Sequence, residues 1–112
     1  MMGQKTTGTT VLEPETRKKP RREVARPWNV ILHDDQLHSY DYVIRMLMDL
    51  FDMDAVKAFG HAEEVDKTGR TIVAKLAKEQ AEKKRDQIMH YGGDPKMRTT
   101  VSMKASIEQC EG

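Results

Sequence analysis

The 112-residue chain is 38% apolar and 33% charged, with a formal net charge of +1, which fits one small core carrying polar extensions and excludes several domains. No run of about 18 apolar residues predicts a membrane span, and the N-terminus lacks the apolar segment of a secretory signal. The lone Cys110 excludes a disulfide framework and suits a reducing cytoplasm.

Charge is unevenly spread. Residues 1–26 carry a net +4 and residues 27–112 a net −3. Glycines, threonines and prolines without hydrophobic periodicity predict a disordered basic arm over 1–26. Its "RKKPRR" at 17–22 is a candidate nucleic-acid patch, but without aromatics to stack on bases it reads as a solvated tail.

Pro27 opens the folded part. "WNVILH", 28–33, predicts a strand buried on at least one face. Ser39 is a candidate N-cap for a helix over 40–51, with Val43, Met46, Leu47 and Leu50 at helical spacing. Asp54 can cap a second helix over about 55–66, with Ala55, Ala58, Phe59, Ala62 and Val65 as its apolar face. "DKTGR", 66–70, reads as a turn and "TIVAKL", 71–76, as a second strand. A third, largely solvated helix over 78–91 stops at Gly92-Gly93. β-branched content predicts a last strand over 98–105, with 106–112 frayed. The order β-α-α-β-α-β gives an α+β class: a small α/β sandwich, a three-stranded antiparallel sheet with three helices on one face.

Catalytic chemistry is hard to find. His33 and His38 flank Asp34 and Asp35, yet no spaced ligand group predicts a metal site. There is no Gly-rich phosphate loop, and Ser39, His38 and Asp41 are sequence neighbours of a kind that rarely form a triad. The chain is therefore expected to be neither an enzyme nor a cofactor carrier. Read by themselves, Asp34 and Asp35 form a solvated turn favouring a helix N-terminus.

The stretch "VILHDDQLHSYDYVIRMLMDLF", with "EEVDKTGR" and "KEQAEKKRDQI" in the same order, resembles the ClpS family, adaptors of the Clp AAA+ protease. The resemblance covers roughly 28–105. It implies a ClpS-like adaptor domain over 27–105 that binds N-degrons, meaning substrates with a free α-amino group and a bulky apolar first residue. Such an adaptor delivers them, under the N-end rule of proteolysis, to a ClpA-like or ClpC-like unfoldase. A cytoplasmic monomer without membrane contact follows. A ClpS-like docking protein with lost or altered degron recognition, or more distantly a nucleic-acid-binding protein using the arm, are the other readings.

Carried over by position, the resemblance gives α-amino binding to Asp34, Asp35 and Asp66. It gives the side-chain pocket to Tyr40, Val43, Ala62, Val65 and Thr99. On the opposite surface it gives unfoldase contact to Glu79 and Lys84, and it gives the arm a part in substrate delivery. Departures are Asp34 for Asn, Gln36 for Asp, His38 for Thr, Ser39 for Pro, Tyr40 for Met, and Asp66 for His. Three carboxylates around one ammonium make an unusually negative site.

Overall fold

The structure, a computed structural model, describes residues 26–111. The expected basic arm therefore lies, but for Arg26, outside the described residues. The elements run β1 (Trp28–His33), α1 (Tyr40–Phe51), α2 (Ala55–Thr68), β2 (Arg70–Leu76), α3 (Lys78–Met89) and β3 (Ala105–Gln109). The sheet is antiparallel, ordered β2-β1-β3. This is the expected α+β fold with three helices.

The central strand is the most apolar one, because it alone is paired on both edges. Val30 and Leu32 turn toward the helices and join the core, while Ile31 points to the other face, as strand alternation requires. Between Val30 and Ile31 the register against β2 slips, Ile31 facing Ile72 after Val30 has faced Ala74. This bulge leaves Thr71 and Val73 buried and Ile72 exposed. Helix α1 buries Tyr42, Val43, Met46 and Leu47, each such side chain contributing about 1.5–3 kcal/mol of burial. Against it α2 presents Ala58, Ala62 and Val65. Small residues there allow a close approach. Helix α3 buries only Ala81 and Ile88.

The helix boundaries have local causes. The Ser39 hydroxyl accepts the Tyr42 N–H at 3.2 Å and the Asp54 carboxylate accepts the Lys57 N–H at 2.8 Å, satisfying first-turn donors. The expected turn at 66–70 is corrected: Asp66, Lys67 and Thr68 continue α2. Only Gly69, at φ 93°, turns the chain, a conformation open to glycine at little cost. Helix α3 likewise ends at Met89, two residues earlier than expected.

The larger correction concerns the C-terminal segment. The strand expected over 98–105 lies at 105–109, so most of the supposed frayed tail is β3, paired with β1 from Trp28↔Gln109 to Leu32↔Ala105. Extension at 98–101 is prevented by a turn. Arg98 adopts φ 59°, the Asp94 carbonyl accepts the Met97 and Thr99 N–H groups, and the Asp94 N–H donates to Thr99 Oγ1 at 3.0 Å. The polar alternation of "ASIEQ" concealed an edge strand.

Candidate functional site

At the end of β1 the Asp34 N–H donates to the Gly69 carbonyl at 3.0 Å, fastening the strand to the α2–β2 turn. The Asp35 carboxylate folds the next residues around itself. It accepts the Leu37 N–H at 2.9 Å, and His38 Nδ1 lies 2.9 and 2.8 Å from its two oxygens. His38 Nε2 lies 2.7 Å from the Val101 carbonyl oxygen, and its side chain is fully buried against the Tyr42 ring, 4.5 Å away. Each ring nitrogen faces an acceptor, so both contacts are hydrogen bonds only when the ring donates from both. His38 thereby ties the strand-to-helix corner to the 99–104 segment. The Ser39 N–H donates to Asp94 Oδ2 at 2.6 Å, fixing the start of α1 from the same side.

These fixed ends border a cavity of about 250 Å³ that is open to solvent on one side. Asp34, Asp35 and Asp66 stand at its polar rim, and Val43, Ala62, Val65 and Met103, all buried, form its apolar wall. The pairing of rim carboxylates with an apolar interior is a general device for holding a group with one charged and one greasy end. Asp34 and Asp66 are exposed, so their charge is kept in water instead of in the core. Across the cavity the Tyr40 hydroxyl donates to Asp66 Oδ2 at 2.8 Å. That bond, with smaller contributions from burial and from the Asp66, Glu63 and Asp34 charges, holds the Tyr40 phenol above its ordinary pKa of 10.0.

Seven of the eight residues expected at a substrate site, Asp34, Asp35, Asp66, Tyr40, Val43, Ala62 and Val65, line this one cavity. Thr99 does not; its hydroxyl is spent on the Asp94 N–H. Met97 and Met103 supply that wall, placed by a looped segment that no periodicity announces. Gln36, His38 and Ser39 also line the cavity; their position beside the Asp pair was the one available signal. Of the two residues expected at a partner surface, Glu79 is exposed in the first turn of α3. Lys84 is half-buried, its ammonium donating to the Leu50 carbonyl at the end of α1 and lying 5.3 Å over the Phe51 ring. Among the described residues no group of three His, Cys, Asp or Glu is arranged to hold a metal, and no helix is long and apolar enough to cross a membrane. A larger open groove of about 660 Å³ runs between Asp41, Arg45 and the Tyr91–Lys96 segment, but its buried carboxylate, Asp94, is already hydrogen-bonded to Ser39 and Lys96.

Known proteins share the fold of this chain. No curated protein matches the chain significantly. Among solved structures, that of Agrobacterium tumefaciens ClpS2 bound to L-phenylalaninamide superposes with a TM-score of 0.67 at 16% identity, over 77% of this chain and 99% of that one, a likeness of fold. The family model for the ATP-dependent Clp protease adaptor protein ClpS matches residues 23–97, a span that takes in the Asp pair, all three helices and the cavity lining except Met103. The chain belongs to the ClpS family of Clp protease adaptors.

Proposed function

We propose that this adaptor reads the free N-terminus of protein substrates, taking the α-ammonium at the Asp34/Asp35/Asp66 rim and a bulky apolar first side chain against Val43, Ala62, Val65 and Met103, and hands them to a Clp unfoldase. The observation that carries this reading is the convergence of Asp34 and Asp66, with Asp35 beside them, on one cavity with a buried apolar wall. An α-amino group is protonated at neutral pH, with a pKa of about 7.7–8.0, and brings three donors. Charge-assisted hydrogen bonds are worth about 1.5–3 kcal/mol each. Burial of a Leu or Phe side chain adds about 1.5–3 kcal/mol. Together, two or three such bonds and the burial reach the scale of a micromolar complex, about −8 kcal/mol; neither part does so alone. An internal Leu or Phe lacks the ammonium, so selection for chain ends follows. The ligand named with the similar ClpS2 structure, L-phenylalaninamide, combines a free α-amino group with an apolar ring, the same pair of features.

Contact with the unfoldase is assigned to the α3 surface around Glu79 and Lys84, by position in the family. The test of substrate recognition is a binding titration with peptides beginning Leu, Phe, Trp or Tyr and with their N-acetylated forms. The free forms are expected to bind at least about tenfold more tightly, the worth of one charge-assisted bond. Equal affinities would refute recognition of the amine.

A further inference from the structure

Tyr40 opens α1 and Asp66 sits in the last turn of α2. The bond between them, 2.8 Å long, therefore joins two walls of the cavity that both residues line. The Tyr40 ring leans on Phe59, centroids 5.7 Å apart, so the side chain is supported in this position from outside.

The three carboxylates are not equivalent acceptors. Asp35 is occupied by Leu37 N–H and His38. Asp34 is exposed, and its side chain forms no hydrogen bond or ion pair among the described residues. Asp66 Oδ2 is held by a phenol. A phenol offers one neutral donor. An ammonium offers three and carries the opposite charge, so it is the stronger partner for a carboxylate. An ammonium bridging Asp34 and Asp66 is therefore a stronger partner for Asp66 than the phenol is.

We infer that Tyr40 and Asp66 form a latch across the cavity, and that a substrate opens it by taking Asp66 from the phenol, so that arrival of the ammonium and entry of the first side chain become one event. The inference rests on the reading of the cavity as a site for free N-termini. A ligand whose first side chain passes between the two walls breaks the Tyr40–Asp66 bond. Only one carrying a free amine replaces it. The latch thus sets the absolute affinity, while Asp66 sets the discrimination between free and blocked ends. The bond to Asp66 is also the first cause that raises the pKa of the Tyr40 phenol above its ordinary value.

The test compares Tyr40→Phe and Asp66→Asn with the wild type, using one Leu-starting peptide in free and N-acetylated forms. Tyr40→Phe keeps the ring and its support on Phe59. It is expected to raise the affinity for both peptides by the same factor, up to about tenfold for loss of one hydrogen bond to a charged group, and leave their ratio unchanged. Asp66→Asn keeps an acceptor for the phenol but removes the charge; it is expected to weaken the free peptide and narrow the ratio. In 13Cζ-tyrosine NMR the Tyr40 signal of the wild type should move toward that of a solvated phenol when the free peptide is added. If the wild type discriminates free from acetylated ends but Tyr40→Phe leaves both affinities unchanged or lowers them, the latch is overturned and amine recognition stands. If the wild type does not discriminate, both fall.

Discussion

Replacing Asp94 with alanine should destabilise the fold by a large fraction of its total stability. Only 2% of Asp94 is exposed, and its carboxylate accepts the Ser39 N–H at 2.6 Å and the Lys96 N–H at 3.0 Å. Hydrogen bonds to a charged group contribute about 1.5–3 kcal/mol each. The Ser39 N–H is half-buried at the start of α1 and loses its partner outright, whereas Lys96 is exposed and regains one from water. Counting the first bond in full and discounting the second gives a loss of about 3 kcal/mol, a large share of the roughly 5–15 kcal/mol that holds a domain folded. In a domain of this size that corresponds to a fall in Tm of roughly 12–24 °C. Urea denaturation and calorimetry measure both. Asp94→Asn, keeping one acceptor oxygen, should lose about half as much.

The same carboxylate carries a pH signature. Burial pushes its pKa up, but the hydrogen bonds from Ser39 and Lys96 outweigh burial and hold it below the ordinary 3.8. A folded-state pKa below the unfolded one contributes stability that is complete above the unfolded value and vanishes as pH falls through the folded one. The gap between wild type and Asp94→Asn should therefore be constant at neutral pH and close below about pH 4. A loss under about 0.5 kcal/mol for Asp94→Ala, the ordinary scatter of surface changes, would refute the assignment of Asp94 as the pin of this loop.

Two glycines should respond in opposite directions. A Cβ at Gly93 would lie 2.0 Å from the Thr99 carbonyl oxygen, whereas one at Gly60 within α2 meets nothing inside 4 Å. Calorimetry should record Gly93→Ala as destabilised by about 1–3 kcal/mol or more and Gly60→Ala as stabilised by about 0.5–1 kcal/mol. Burial pushes the His61 pKa below 6.5, so the unfolded chain binds the extra proton first and stability should fall as pH drops below about 6.5. In denaturation curves between pH 8 and 5, His61→Gln should flatten that slope, which an unchanged slope would contradict. Lys84→Met should cost about 1 kcal/mol in urea denaturation, because the ammonium it removes completes the C-terminal end of α1 against the helix dipole.

The sequence by itself determined the elements whose cause is local. The β1 and α1 limits, Trp28–His33 and Tyr40–Phe51, followed from an apolar run, a serine cap and a 3.6-residue repeat, all of which act within a few residues. The order of motifs was enough to place the chain in its family, and the positions of Asp34, Asp35 and Asp66 were legible from that order. What only tertiary structure decided lies after α3. There the β-branched 99–101 segment does not extend because the Asp94–Thr99 turn precedes it, a turn held from afar by the Ser39 N–H on Asp94 and by His38 on the Val101 carbonyl, while the polar 105–109 segment becomes a strand because β1 offers a free edge. Ser39, His38 and β1 all lie far from these segments in sequence, so β propensity alone misplaced the strand. The cavity changed character for the same reason. Three carboxylates in a line of text read as equal charges, but folding gives one to His38 and one to Tyr40, and that allocation depends on contacts between residues up to 26 positions apart.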